Sequence, residues 1–244
     1  MSVEVVFLGT GSASAPAGRS HACVLVRDGT TAFLLDCGSS APPAITRAID
    51  PGRIDAVLVS HLHGDHFGGI PYLLMEQSYA GRTRPLVLAG PRDLERRVRE
   101  LAVALYTDFY AHPVPYDVPF ITLGPSEHDI FGVRVAALPV VHLPGSDAHG
   151  LRVRIGEKLI AYSGDAEWSD AIPALADGAD LFICESTTYA LRWPGHLSAL
   201  ELATHRDELR CSRIVLTHLA PEAVAHHDDI PFEIAYDGMS VLLA

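Results

Sequence analysis

Three histidines and an aspartate, His61, His63, Asp65 and His66, fall within six residues of the segment SHLHGDH. The segment directly follows the apolar run at residues 56–59, which is typical of a core strand. Imidazole and carboxylate groups suit a borderline divalent ion such as zinc, and no cysteine lies beside them to indicate a closed structural site. The pattern predicts a hydrolytic centre with two metal ions. The alternative is a solvated histidine-rich loop.

Three further candidate ligands each follow an apolar, strand-like run elsewhere in the chain: His142, Asp165 and His218. Ends of adjacent core strands converge on one edge of a sheet, so these side chains can meet although they are far apart in sequence. A pair of metal ions about 3.5–4 Å apart needs several imidazoles and a carboxylate able to bridge them. A bridging water that loses its proton would then be the nucleophile, while the metals polarise the electrophilic oxygen.

Composition narrows the classes of protein to consider. With 244 residues and 48% hydrophobic residues, the chain can build a sizeable core, and we expect one domain over residues 1–244. A formal net charge of −12 opposes broad binding to nucleic acid but permits a small anionic substrate.

No apolar stretch approaches the roughly 18 residues that span a bilayer. The N-terminus predicts a first strand and not a signal peptide. Four cysteines without a CxxC pair indicate reduced, buried thiols and a cytoplasmic protein.

Short strands and helices alternate along the whole chain. Strands are predicted at residues 3–8, 22–26, 31–35, 56–59, 86–89, 133–141, 151–155, 159–162, 181–184, 213–216, 232–235 and 241–243. Helices are predicted at residues 42–49, 67–79, 92–106, 169–176 and 198–209, with an irregular proline-rich stretch at 112–124. This alternation, without any linker-like segment, favours layered sheets with outer helices.

The histidine cluster, His142, the SGD motif ending at Asp165, and His218 closely resemble the metallo-β-lactamase superfamily of binuclear metal hydrolases. The motifs FLGTGSA at 7–13, LLDCG at 34–38, GHLS at 195–198 and LTHLAP at 216–221 look more specifically like its tRNase Z and phosphodiesterase branch. The resemblance spans almost the whole chain. It implies an α/β fold, a four-layer αββα sandwich, with the metals at one edge of the paired sheets.

The resemblance also implies roles for individual residues. One divalent ion would be held by His61, His63 and His142, the other by Asp65, His66 and His218, with Asp165 between them. We expect zinc, with manganese or iron as alternatives. His196 matches the branch's histidine beside the scissile phosphate, so His196 and Asp65 are the candidate catalytic residues. Homodimerisation is expected from the resemblance alone.

Departures from tRNase Z favour a small substrate. Residues 39–43, SSAPP, replace the branch's acidic and polar residues after DCG, and Glu222 and Ala223 stand where an Arg-Tyr pair is expected. No glycine- and lysine-rich insertion is present, and Lys158 is the single lysine. We therefore expect a phosphodiesterase that acts on a small phosphodiester or nucleotide through a metal-bridging hydroxide, and not on extended nucleic acid. Hydrolysis of a carboxylic ester, lactone, thioester or β-lactam, tRNA 3′-end cleavage, and a non-catalytic metal-binding module are the alternatives.

Several polar residues have two interpretations. Glu185 either orients a ligand or His196 or lies solvated in a loop, and His149 is a turn residue or faces the substrate. For Asp36 we expect hydrogen bonds to loop amides. The arginines between residues 82 and 99 form a solvated helix face or a phosphate-binding patch, and the HHDD segment at 226–229 is expected on the surface.

Overall fold

The computed structural model describes residues 2–109 and 114–244 and contains two seven-stranded sheets that pack face to face. The first sheet has the order β14-β1-β2-β3-β4-β5-β6. Its strands are β1 (Val3–Gly9), β2 (Cys23–Arg27), β3 (Ala32–Leu35), β4 (Ala56–Leu58), β5 (Val87–Gly90), β6 (Phe120–Thr122) and β14 (Ser240–Leu243). The strands β3 to β6 run parallel, so their carboxyl ends share one edge.

The second sheet has the order β13-β12-β11-β10-β9-β8-β7. Its strands are β7 (His128–Ile130), β8 (Val133–Pro139), β9 (His149–Ile155), β10 (Lys158–Tyr162), β11 (Leu181–Glu185), β12 (Ile214–Thr217) and β13 (Glu233–Ile234). Here β10 to β13 are parallel. Each sheet thus combines a parallel half with antiparallel hairpins.

Seven α-helices are found among the described residues, beside short 3₁₀ turns. They are α1 (Pro42–Ala48), α2 (Gly64–Phe67), α3 (Ile70–Tyr79), α4 (Leu94–Leu105), α5 (Ala171–Ala176), α6 (Ala199–Thr204) and α7 (Pro221–Ala225). The helices α1, α3 and α4 cover the first sheet, and α5, α6 and α7 cover the second. Between the sheets lies a third apolar core that includes Phe7 and Phe33 from one sheet and Val153 and Ile183 from the other. The predicted four-layer αββα sandwich is confirmed.

Local sequence explains how the chain turns between elements. In the β2–β3 hairpin, Asp28 Oδ1 accepts hydrogen bonds from the backbone amides of Thr30 and Thr31, both at 2.9 Å. Gly29 takes a φ of +93°, which a residue with a Cβ rarely adopts. In α4 the apolar residues Leu94, Val98 and Ala102 recur every four positions and are buried.

Three predicted segments need correction, and two elements are absent from the prediction. The helix expected at 67–79 begins only at Ile70, and Phe67 instead ends the short helix α2, because Pro71 has no amide hydrogen to continue a helix from the preceding turn. The helix expected at 198–209 ends at Thr204 and continues as a 3₁₀ turn. The stretch 112–124 contains the strand β6, although its first two residues lie outside the described residues. The strand β7 and the helix α7 were not predicted.

Candidate metal centre

The predicted ligands lie at one edge of the two sheets, beyond the carboxyl ends of the strands. His61, His63, Asp65 and His66 follow β4, while Asp165 follows β10 and His218 follows β12. Loops at the carboxyl ends of parallel strands are where open α/β sheets bind ligands, and rigid strands fix the start of each loop. The structure brings together all seven residues that the sequence singled out as ligands.

A first group of donors consists of three imidazoles and one carboxylate: His61, His63, His142 and Asp165. His63 Nδ1 lies 3.1 Å from His61 Nε2 and 3.2 Å from His142 Nε2. Asp165 Oδ2 lies 3.6 Å from His61 Nε2 and 3.9 Å from His142 Nε2. Nitrogens at the corners of a tetrahedral zinc site are separated by about 3.3 Å, so this spacing suits a zinc ion.

A second group of donors shares the same carboxylate and consists of Asp65, His66, His218 and Asp165. His218 Nε2 is 3.3 Å from both His66 Nε2 and Asp65 Oδ2. Asp165 Oδ1 is 3.2 Å from His66 Nε2 and 3.4 Å from His218 Nε2. The two oxygens of Asp165 therefore face different groups of donors.

The environment of the Asp165 carboxylate shows whether a metal ion fits between the two groups of donors. Its side chain is almost fully buried, and Oδ1 has no hydrogen-bond partner among the described residues. A buried carboxylate oxygen without a partner is costly unless a cation satisfies it. Imidazole nitrogens and carboxylate oxygens are the donor set that divalent transition ions accept, so the residues present fit such ions.

Charge at the site is arranged for cation binding. Burial and the neighbouring His66 hold the pKa of His61 well below its usual range, and burial together with His142 also lowers the pKa of His63. Despite burial, the imidazoles of His218 and His66 hold the pKa of Asp165 well below normal. Despite burial, the carboxylates of Asp165 and Asp36 raise the pKa of His66 well above its usual range. A metal requires ionised carboxylates and neutral imidazoles, so an ion bound here would displace the second proton of His66.

Asp36 orients His66 from behind. Its Oδ2 accepts hydrogen bonds from His66 Nδ1 at 2.7 Å, from the Tyr162 hydroxyl at 2.7 Å and from Ser60 Oγ at 2.8 Å. Its Oδ1 accepts from the Ser60 amide at 2.7 Å. The expected bond to a loop amide is present, but the sequence did not reveal the bond to the imidazole. With Nδ1 protonated and bonded to Asp36, His66 presents Nε2 to the site.

Glu185, at the end of β11, plays the corresponding role for His196. The carboxylate is fully buried, and its Oε1 lies 2.9 Å from His196 Nδ1. Its Oε2 accepts from the amide and the hydroxyl of Thr187, at 2.9 and 2.7 Å. Thr187 Oγ1 is also 2.9 Å from His218 Nδ1, so one network orients both histidines. Of the two interpretations of Glu185, the structure supports the one in which it orients His196.

His142 is held by the loop that carries His196. Its Nδ1 donates to the carbonyl of Gly195 at 2.6 Å, which leaves Nε2 for the first group of donors. Glu167 supports the same loop, because its carboxylate accepts a hydrogen bond from the Gly195 amide. Gly195 has a φ of +84°, and a Cβ there would lie 2.8 Å from His142 Nδ1. The glycine is thus required by both its backbone conformation and this close approach.

Two residues of the centre have unusual backbone conformations. Asp36 has a φ of +59° and His218 a φ of +62°, in the left-handed region that residues with a Cβ seldom adopt. Such strain persists only where the surroundings enforce it, and it concentrates at functional sites. Here hydrogen bonds to Ser60 and Thr187 anchor the two strained residues.

Comparison with known proteins agrees with this geometry. Residues 16–218 match the family model described as the metallo-beta-lactamase superfamily. The chain belongs to the metallo-beta-lactamase superfamily. A ribonuclease Z from Methanothermobacter thermautotrophicus is 29% identical to it over 89% of this chain and 87% of the relative. The structure of the short form of human tRNase Z superposes with a TM-score of 0.79 and 25% identity, covering 98% of both chains.

A second solved structure supports the fold alone. The metallo-beta-lactamase fold protein YhfI from Bacillus subtilis has a TM-score of 0.81 and 22% identity, covering 99% of each chain. The predicted family, its tRNase Z-like character and the enzyme class are confirmed: this member of the metallo-beta-lactamase superfamily is a metal-dependent hydrolase. The ligand roles of the individual side chains stay a prediction.

Other predicted residues lie away from the donor groups. His149 begins β9, with its amide bonded to the Ser60 carbonyl, and it belongs to neither donor group. On α4, Arg96, Arg97 and Arg99 pair with acidic residues of the same helix region, as a solvated face would. Arg82 is instead buried. The HHDD segment at 226–229 is exposed, as expected.

The cysteines and the lengths of the helices bear on two further predictions. The four cysteines are free thiols, of which three are buried and Cys211 is partly exposed. Every helix within residues 2–109 and 114–244 is too short to span a bilayer; α4, with 12 residues, is the longest. The cytoplasmic location and the homodimer stay predictions.

Proposed function

We propose that this protein hydrolyses small phosphodiesters at a centre of two divalent ions, and that zinc is the preferred metal. The observation that carries the proposal is the position of Asp165, whose two carboxylate oxygens face two separate groups of histidine and aspartate donors. One carboxylate shared between two such groups is what a two-metal hydrolytic site requires.

Under this proposal each donor group holds one ion. His61, His63 and His142 bind the first, Asp65, His66 and His218 bind the second, and Asp165 serves both. When bound, such ions acidify water and withdraw charge from a phosphoryl oxygen. Asp36, Glu185 and the Gly195 carbonyl fix the protonated nitrogens of the histidines, so that the other nitrogens face the centre.

His196 is the candidate for direct contact with the phosphate. Its side chain is 16% exposed, and its Nδ1 is held by Glu185 and lies 4.0 Å from Asp165 Oδ2. The ring stacks near His218 with 5.7 Å between centroids. Nδ1 donates to Glu185, and despite burial this carboxylate raises the pKa of His196. The protonated ring also carries a proton on Nε2, which can pass to the leaving oxygen or form a hydrogen bond to a phosphoryl oxygen.

Charge supports a small substrate. A net charge of −12 opposes the counterion release that drives binding along a nucleic acid. The arginines of α4 are paired with carboxylates, and so they offer little free positive charge. The second candidate is cleavage of a tRNA 3′ end, which the similarity to ribonuclease Z favours.

A parallel assay separates these candidates. Zinc-loaded protein is incubated with bis(p-nitrophenyl) phosphate, cyclic nucleotides, a lactone, a thioester and a precursor tRNA. We expect turnover of the phosphodiesters and cyclic nucleotides, loss of this turnover in Asp165→Ala, and no loss in the surface variant His226→Ala. Hydrolysis of the lactone or thioester alone would refute the proposal. Site-specific cleavage of the tRNA at far lower enzyme concentration would favour the second candidate.

A further inference from the structure

A cavity of about 240 Å³ opens beside His196 and shares that residue with the metal centre. Its other lining residues are contributed mainly by the segments that flank α5 and α6 and include Glu167, Trp168, Leu191, Trp193, Pro194 and Glu201. We propose that this cavity binds the nucleobase of a nucleotide substrate, with Trp193 as the stacking surface. The proposal rests on the proposed function and specifies its substrate class.

The aromatic character of the cavity points to a flat, apolar group. Trp193 is 44% exposed and Leu191 is 51% exposed, and both line the same cavity, so they form one apolar surface beside His196. The ring of Trp168 already stacks on His205, with 3.9 Å between centroids and 15° between planes. Among the described residues, Trp193 makes no comparable ring contact, so its face can accept a base. Stacking on an aromatic ring is a general way to bind nucleobases.

The carboxylates of the cavity favour the base over the phosphate. Glu167 and Glu201 line it, Arg192 Nη2 lies 3.5 Å from Glu201 Oε1, and no arginine or lysine of the lining is paired with Glu167. Carboxylates repel a phosphate but accept hydrogen bonds from the N–H groups of a base. We therefore expect preference for a base with an exocyclic amine, such as adenine.

The position of His196 joins the cavity to the phosphate site. Its ring centroid is 5.0 Å from that of His142, and Nδ1 lies 4.0 Å from Asp165 Oδ2. His196 therefore borders both the cavity and the donor groups, and under this proposal the base and the phosphate of one nucleotide lie on either side of it. Leu143, which follows His142 and is 41% exposed, lies next to Gly195 in the loop that carries His196.

The test measures binding and not turnover. Calorimetry with the zinc-loaded full chain compares AMP with ribose 5-phosphate, which carries the same phosphate but no base. We expect AMP to bind more tightly, and Trp193→Ala to raise the Kd for AMP by roughly tenfold while the Kd for ribose 5-phosphate stays unchanged. Trp193→Phe should retain most of the affinity. Tyr79→Ala, which removes an 83% exposed aromatic from α3, is the matched control and should change neither value.

A second measurement does not depend on truncating Trp193. The chain has two tryptophans, so Trp168→Phe leaves Trp193 as the sole indole. We expect AMP, but not ribose 5-phosphate, to quench its fluorescence in a saturable way. Equal Kd values for AMP in wild type and Trp193→Ala would overturn the proposal, and so would Trp168→Phe protein that binds AMP in calorimetry without any quenching.

The two proposals fail differently. Binding of AMP that depends on Trp193, without turnover of any phosphodiester, would leave the nucleobase site standing and refute the phosphodiesterase. Phosphodiester turnover together with AMP binding that does not depend on Trp193 would refute the nucleobase site and leave the phosphodiesterase standing.

Discussion

Replacing Asp36 with asparagine tests whether the residues behind the ligands build the metal centre. Asp36 is fully buried and accepts four hydrogen bonds, one through Oδ1 and three through Oδ2. Asparagine keeps the shape but offers one acceptor oxygen and an NH2 group that can only donate. If the oxygen takes the place of Oδ2, the NH2 group meets the Ser60 amide, and that amide loses its acceptor.

The size of the effect follows from these bonds. A buried amide left without a partner costs about 1–3 kcal/mol, and three hydrogen bonds to a neutral acceptor instead of a charged one lose about 1 kcal/mol each. We expect the free energy of unfolding of the metal-free protein to fall by about 4–6 kcal/mol. Because His66 then loses its orienting carboxylate, zinc affinity should fall by roughly 10- to 100-fold.

The assay pairs urea denaturation of the metal-free protein with competition for zinc against a chelator. Asp55→Asn is the matched control, since Asp55 is also buried and accepts from a backbone amide, that of Ala32 at 2.9 Å, but its other partner is Arg84 and not a histidine. The control should lose stability and keep its zinc affinity. Unchanged zinc affinity in Asp36→Asn, with stability reduced as in the control, would refute the reasoning.

Three further substitutions separate catalysis, ligand placement and stability. His196→Ala should leave zinc stoichiometry intact and lower kcat by about 10²–10⁴, measured on bis(p-nitrophenyl) phosphate; loss of metal would instead make His196 a ligand. Gly195→Ala places a Cβ 2.8 Å from His142 Nδ1 at a φ of +84°, so it should weaken zinc binding in a chelator titration, and unchanged affinity would contradict this. Arg82→Met removes the donors to five backbone carbonyls, so it should lower the free energy of unfolding by about 3 kcal/mol and leave kcat unchanged. A marked fall in kcat of the folded variant would instead show that Arg82 serves the reaction.

Much of the fold could be predicted because its strands are short apolar runs bounded by turn residues. The β2–β3 hairpin is an example, since the adjacent residues Asp28 and Gly29 predict its turn. The break between α2 and α3 has a local signal in Gly68, Gly69 and Pro71, whereas the close approach of Gly69 to the carbonyl of Gly38 has none. The strands β6 and β7 have three residues each, too few to show an alternating pattern of their own.

The candidate ligands could be named from the sequence, but most of their supports could not. A histidine cluster is a local pattern, whereas the partner of a buried carboxylate depends on which strand ends lie side by side. Asp36 reaches His66 across 30 positions and Tyr162 across 126, so neither bond has a local signal. Glu185 was left open between two interpretations for the same reason. The one hint that the sequence offers for Asp36 and Glu185 is that each is an acidic residue directly after a predicted core strand.

Counting metal ions tests the central claim most directly. Elemental analysis of purified protein, after saturation with zinc and removal of the excess, should give two ions per chain in the wild type. Asp165→Ala should hold fewer and show no phosphodiester turnover. Wild-type protein that takes up no ion, or Asp165→Ala that keeps two ions and full activity, would contradict the account.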